Sequence, residues 1–537
     1  MQRLLFLLAA TSVPAVVWAE KVTYDDHILP LFESNCLNCH NPDKTKGGLD
    51  LSTYANTLAG GSSGETLQPG AGADALLYRV ITHQAEPVMP PEGDQLSKKD
   101  ANLVRTWIDD GLLETSSSTA KTAKKNTLLA NLEPIDPQKF DGPPPMVTLG
   151  TFPLDPVQHT PRSGTILDME ASPRAPLLAI TGHQQVVLYH TETFEILGII
   201  PFEGGTPEAL SFHPGGQYLT VAGGVPGKKG FTRTWDLVSG QVILELGREF
   251  DSVLTASLHP ALTHLALGGP SKTVKIWSAT TGEEVHRLKK HPEWVTAASF
   301  SANGANLATA DRNQGIQLWE TEDFTPTFSL ESHEGPITDL KWRPDSRILA
   351  SASEDAHIIL WDTKTGKQIK KHKAHDQGVL ALDLAPDGLV MTAGRDKKVR
   401  FWKADLGFRQ ELKDFSDIVT EVEFSHDGKT FFTADWRGQL RAWTIEGFRP
   451  LTELTNNPRP FQDRLADLRT QIANFKSDSQ SKQDELKQQQ LLLAEASDPD
   501  PETEKVIGAL KGAIGRLHHE SEALTKRLSE LEKFANK

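Results

Sequence analysis

Cysteine is almost missing from this chain: 537 residues hold two, at positions 36 and 39. A fold stapled by several disulfides is therefore excluded, and a structural zinc site, which takes four protein ligands, finds only two thiols. Positive charge is also in short supply. The chain carries 56 Lys and Arg against 71 Asp and Glu, for a net charge of −15. That balance argues against a nucleic-acid partner, because phosphate binding rests on a concentrated basic surface. Beyond the first twenty residues no run reaches 18 consecutive apolar residues, so no membrane span is expected in the mature chain. Residues 1–35 contain no cysteine that a lipid could modify.

The one long apolar run is at the start. Arg3 precedes an apolar stretch from Leu4 to Val17, and Val17-Trp18-Ala19 stands before Glu20. This pattern is that of a secretory signal cleaved after Ala19. The expected location is the periplasm, an oxidising compartment.

In that setting the spacing of the two cysteines becomes informative. The stretch ESNCLNCHNPDK, residues 33–44, places His40 directly after Cys36-x-x-Cys39. A dithiol redox motif of this spacing would need a surrounding βαβ pattern, which residues 20–110 lack. C-x-x-C-H instead reads as an attachment site for c-type haem, with Cys36 and Cys39 as the two thioethers and His40 as an iron ligand. Ile28, Leu31 and Phe32 have helical spacing and bring the motif to a helix end. A second helix is expected after Ser97, with Leu103, Val104, Trp107 and Ile108 on one face and a stop at Gly111. Between the two lies HQAEPVMPPEGD, whose Met89 is the only methionine in the expected haem domain. A thioether favours ferrous iron, as an electron-transfer haem requires, and Pro90 and Pro91 restrict the backbone behind it. Met89 is thus the expected sixth ligand, with His83 and His27 as rivals.

Residues 22–113 resemble the planctomycete-type cytochrome c domain. The likeness rests on ILPLFESNCLNCHNPDKTKGGLDLSTY, then QPGAGADALLYRVI, MPPEGDQLS and the tryptophan helix, in that order. The resemblance implies one covalent haem and electron transfer, with Cys36, Cys39 and His40 at the attachment motif and Met89 at the MPP position. Lys46-Gly47-Gly48-Leu49 is either a loop at the haem edge or an ordinary turn.

From Thr115 to about Pro145 the chain becomes rich in Ser, Thr, Lys and Pro, which marks a linker. Beyond it, tryptophans stand at 235, 277, 319, 361, 402 and 443, each 41 or 42 residues after the last, and Tyr189 takes the same place one unit earlier. Four alternating segments per period of this length indicate β-propeller blades, and seven units fit 147–455. The units resemble WD repeats, and Trp235-Asp236 and Trp361-Asp362 carry the dipeptide of that family. The resemblance implies a buried hydrogen-bonded set of His333, Ser351, Asp355 and Trp361 in the fifth unit, repeated by His375, Thr392, Asp396 and Trp402 in the sixth. The fourth unit has Asn313 at the aspartate place and the seventh has Arg437 and no matching histidine, so both are expected to be tied differently. Either the segment PPMVTLGTF closes the last blade or FRPLTELT completes it in sequence.

The tail changes period again. Phe461, Leu465, Leu468, Ile472 and Phe475, and later Ile507, Leu510, Ile514, Leu517, Leu524, Leu528 and Leu531, follow 4,3 spacing around Pro499 and Pro501. Two antiparallel helices are expected, either packed on each other or serving an oligomer.

The expected architecture is multidomain: a signal peptide at 1–19, a small all-α cytochrome c domain at 20–114, a linker at 115–146, a seven-bladed all-β WD-repeat propeller at 147–455, and a C-terminal helical hairpin or coiled coil at 459–537. The expected function is an exported cytochrome with one covalent haem c, passing single electrons to or from a protein docked on the propeller and coiled coil. Alternatives are an oxidoreductase with its site in the propeller, fed by the haem, or a haem-based redox or ligand sensor with the propeller as output.

Overall fold

The computed structural model describes residues 21–61, 66–67, 69–70, 72–73, 75–85, 87–121, 143–413, 415–495 and 501–535. The expected signal peptide, residues 122–142 of the expected linker and the tail turn at Pro499 lie outside them. The chain divides into two compact units, Met1–Lys125 and Asn126–Lys537.

In the first unit a wide turn at Tyr24–Ile28 runs into helix α1, Leu29–Asn35; α2 spans Tyr54–Ala59, α3 Leu76–Ile81 and α4 Lys98–Asp109. Thr23 caps the opening turn by accepting the Asp26 N–H, and Ser97 caps α4 by accepting the Asp100 N–H, so each start satisfies a donor that the helix leaves open. Ile28, Phe32, Val104, Trp107 and Ile108 form one buried cluster. Its polar atoms are paired: Trp107 Nε1 donates to Leu113 O at 2.8 Å and the Tyr24 hydroxyl to Leu51 O at 2.8 Å. These bonds tie the segment after the C-x-x-C-H motif and the segment after α4 to the helices.

In the second unit seven four-stranded antiparallel sheets follow in order, at 169–201, 206–249, 255–288, 295–330, 337–373, 379–412 and 419–454. No blade owns a core. The apolar side chains form seven layers, each shared by neighbours, from blades one and two round to blades seven and one. A blade alone would expose both faces, which is why the ring must close.

Ring closure is settled by the last strand. Arg449–Leu454 pairs with Leu440–Thr444, so FRPLTELT completes the seventh blade in sequence. Phe432, Ala434, Leu440 and Ala442 of blade seven then pack on Met169, Leu178, Ile180 and Val187 of blade one. The segment PPMVTLGTF instead lies on blades one and two through Val147 and Phe152.

Around the central channel, side chains on one blade accept backbone N–H groups of the next. Asp168 accepts Leu210 N at 2.6 Å, Glu170 accepts Phe212 N at 3.1 Å, Asp339 accepts Leu382 N at 3.0 Å and Asp383 accepts Phe424 N at 2.7 Å. Glu423 of blade seven accepts Ala171 N of blade one at 2.9 Å across the ring junction, and between blades three and four the hydroxyls of Thr255 and Ser257 accept Ala298 N and Phe300 N. Innermost strands have an open hydrogen-bonding edge, and these carboxylates satisfy it. Lys341 lies 3.3 Å from Glu423 among them.

Helices α5, Phe461–Glu495, and α6, Pro501–Ala535, pack against each other as a hairpin, with Arg469 bonded to Glu532 at 2.7 Å. The base of the hairpin docks on blade one: Phe461 and Leu465 are buried with Leu154, and Arg527 pairs with Glu195 at 2.9 Å. Among the described residues no helix is long and apolar enough to cross a membrane.

Candidate functional site

The end of α1 presents the Cys36-x-x-Cys39-His40 motif. Cys36 N and Leu37 N both donate to Phe32 O, at 2.7 and 3.0 Å, and Cys39 N and His40 N both donate to Cys36 O at 3.1 Å. The motif is therefore a tight turn continuing the helix. Its exit is held by pairing of His40 with Thr45 and by Leu51 N on His40 O at 3.0 Å. Asn41 Oδ1 accepts both Asp43 N and Lys44 N at 2.9 Å and closes the intervening loop. Gly47 and Gly48 follow at φ 65° and 67°, a conformation that L side chains adopt at a cost. The Lys46–Leu49 stretch is thus a turn demanded by backbone geometry.

Cys36 and Cys39 are not joined to each other and both are half-buried. Cys36 packs on the same apolar cluster as Met89, Leu37, Leu49 and Leu103. Burial pushes the Cys36 thiol up to about 11. Such surroundings disfavour a thiolate and suit a neutral sulfur. His40 Nδ1 is buried and has no hydrogen-bond partner among the described residues. A buried imidazole nitrogen without a partner is costly, and marks a ring whose partners are incomplete.

Met89 reaches this cluster from the loop after α3. Its N–H donates to Val80 O at 3.0 Å, and Leu96 N donates to Ile81 O at 3.1 Å, so both ends of the MPP loop are fixed to α3. Of the rival histidines, His27 is engaged locally, its Nδ1 taking the Thr23 N–H at 3.2 Å. His83 is exposed, in a turn at φ 58°. Among the described residues no three His, Cys, Asp or Glu side chains group as a metal site. The residue types at Cys36, Cys39, His40 and Met89 are those with which a c-type haem would be held.

The propeller carries a second set of buried polar residues. In blade five Trp361 Nε1 donates to Ser351 Oγ at 2.9 Å, Ser351 meets His333 Nε2 at 2.8 Å, and His333 Nδ1 meets Asp355 at 2.9 Å. Blade six repeats the relay: Trp402 to Thr392 at 3.0 Å, Thr392 to His375 at 2.9 Å, His375 to Asp396 at 2.7 Å. Burial alone would raise Asp396; the His375 bond and charge, with the Asp376 N–H and Arg400, outweigh it and bring it down to about 2.

Blade four corrects the sequence reading. Asn313 does not replace the aspartate, because Asp311, two residues earlier, takes the role: it meets His291 Nδ1 at 2.7 Å, while His291 Nε2 meets Thr309 at 2.8 Å and Trp319 donates to Thr309 at 2.8 Å. Asp311 also accepts Asn313 N and Gly315 N, which turns the hairpin around it. Blade seven is tied differently, as expected. Trp443 donates to Thr433 at 2.9 Å, but Ser416 stands in for the histidine at 3.3 Å from Asp435. All these histidines are consumed by structural bonds.

Comparison with known families agrees with this division. Residues 36–93 match the family described as planctomycete cytochrome C. Three segments, 282–320, 324–362 and 366–403, match the WD domain, G-beta repeat. They are the segments that hold the three complete relays. Among curated proteins none matches the chain. The cytochrome c match implies a haem cofactor, and the WD repeats a scaffold of the kind that generally mediates protein interactions. The chain thus joins a segment similar to planctomycete cytochrome C to a seven-bladed propeller, three of whose blades match WD repeats, and a helical hairpin.

Proposed function

We propose that this protein is an exported c-type cytochrome that exchanges single electrons with a protein docked on its propeller. One haem is attached through thioethers of Cys36 and Cys39 and ligated by His40 and Met89. When bound, the haem supplies a one-electron couple. The observation that carries the reading is the packing of Cys36 and Met89 on one apolar cluster, with His40 four residues after Cys36 and its buried Nδ1 without a partner among the described residues.

The chain's own residues prepare the site. The turn around Cys36 O holds His40 in line with the helix, and the Val80 and Ile81 carbonyls hold the Met89 loop. Leu37, Leu49 and Leu103 pack on the same cluster as Cys36 and Met89; an apolar surround of this kind would favour the less charged, reduced state. Partner docking is supported by the ring face. Trp436 is 60 % exposed, and in blade seven it occupies the turn that Arg312 occupies in blade four. Arg312 lies 4.8 Å from the ring of exposed Trp294. Exposed Trp and Arg on one face are typical anchors of protein contacts.

A redox titration of the purified protein tests the reading. A reversible wave with the slope of one electron is expected; a pigment without reversible one-electron chemistry would reject it.

A further inference from the structure

The outermost strand of blade five, Lys367–Lys373, reads KQIKKHK: four lysines and no acid, in a chain of net charge −15. The six other outer strands carry no charge, one acid with one base, or, in blade two, two acids with one base. Lysine on an edge strand discourages unwanted pairing, but every blade with an uncovered rim has that need, and only blade five meets it with a row of lysines. Lys367, Lys370 and Lys373 are exposed, and Ile369 between them is 52 % exposed. Where the lysine nitrogens bond, they reach carbonyls: Lys370 Nζ donates to Asp405 O, and Lys371 Nζ to Ser332 O at 2.6 Å. No described carboxylate comes within ion-pair distance of the four. Asp405 lies near Lys370, and Asp362 near Lys364 in the preceding turn, and each carboxylate already accepts a backbone N–H of its own turn at 2.9 Å. Counting Lys364, five lysines stand against these two carboxylates, which leaves the rim positive.

We propose that this rim docks an acidic, extended segment of a partner protein, which adds as a strand along the open edge with its carboxylates against Lys367, Lys370 and Lys373. The inner edge of the strand pairs with His357–Asp362, and no described strand pairs with its outer edge. Main-chain donors and acceptors are therefore open to strand addition, in which the backbone gives affinity and the side chains give specificity. Ile369 offers an apolar contact in the middle of the row. Seven residues extend over roughly 23 Å, which matches a peptide. A membrane or a nucleic acid would present a far wider negative face, and the surplus negative charge of the remaining chain would repel it. The rim is distinct from the ring face at Trp294 and Trp436, and its docking does not depend on the haem.

The test is fluorescence anisotropy of the full-length holoprotein with two labelled octapeptides, one alternating glutamate and threonine, the other glutamine and threonine. Saturable binding of one acidic peptide, at least tenfold tighter than its amide counterpart, is expected. The triple variant Lys367→Gln, Lys370→Gln, Lys373→Gln should lose that preference. The variant Lys476→Gln, Lys511→Gln, Lys526→Gln, which removes as much charge from the exposed surface of the hairpin, should keep it. Methylating the peptide nitrogens of the acidic peptide, which keeps its charge and removes its donors, should weaken it at least tenfold. Equal affinity for the two peptides, equal losses in the two triple variants, or no loss on methylation overturns the proposal. Sedimentation with phosphatidylserine vesicles that depends on the three rim lysines, while the acidic peptide fails to bind, overturns it in favour of a lipid surface.

Discussion

Replacing Thr392 by Val should destabilise the propeller about twice as much as replacing Thr433 by Val. Both threonines are buried, at 0 % and 2 % exposure, in equivalent places in blades six and seven, and Val keeps the shape while removing the hydroxyl. Thr392 has two partners. It accepts from Trp402 Nε1 at 3.0 Å and meets His375 Nε2 at 2.9 Å. With Asp396 taking the proton on His375 Nδ1, Nε2 is the acceptor, so the valine leaves one donor and one acceptor unpaired. Thr433 meets Trp443 alone, at 2.9 Å, so only one donor is left unpaired. Each unpaired buried group costs about 1–3 kcal/mol, which gives the twofold ratio irrespective of the absolute scale. Urea unfolding of the full chain, followed by tryptophan fluorescence, measures both losses. Equal losses, or a larger one at Thr433, would refute the relay as the source of the stability.

Other outcomes follow from the same structure. Burial pushes Glu170 up to about 8, against the pull of Lys341, so the folded ring binds a proton that an unfolded chain releases near pH 4. Its contribution is therefore full below about pH 4 and is lost as pH rises towards 8; Glu170→Gln should raise Tm at pH 8 and leave it nearly unchanged at pH 4.5, and scanning calorimetry would expose the opposite trend. Phe461 is 5 % exposed at the foot of the hairpin, and Phe461→Ala should cost about 3–5 kcal/mol of docking. Limited proteolysis should then cleave α5 and α6 ahead of the propeller, whereas an unchanged pattern would mean the hairpin is held elsewhere. Met89→Ala should lower the reduction potential and open the iron to carbon monoxide; an unaltered spectrum would remove Met89 from the ligand set.

The features that the sequence makes legible are those written within a few residues. Cys36, Cys39 and His40 form a contiguous motif, the tryptophans of the blades recur every 41 or 42 residues, and the tail keeps 4,3 spacing. Each is a local pattern imposed by a repeated geometry. What escaped is set by partners far apart in sequence. Asp311 is not at the aspartate position of its neighbours, and only the hairpin turn at Asn313–Gly315 returns its carboxylate to His291. The carboxylates of the channel read as scattered acidic residues until each meets a backbone N–H about 40 residues on, or, for Glu423, 252 residues back. Arg464 looks like one more polar position on an amphipathic helix; its burial follows from docking on Leu154, which no periodicity announces.

The central claim is that a haem is joined to the chain at Cys36 and Cys39. Intact-mass spectrometry of the denatured protein, produced in a host that matures c-type cytochromes, addresses it directly. The account predicts a polypeptide heavier by one haem, with no thiol free to alkylate, and the loss of that added mass in a Cys36→Ala, Cys39→Ala double variant. A chain at its bare polypeptide mass with two alkylatable thiols would contradict it.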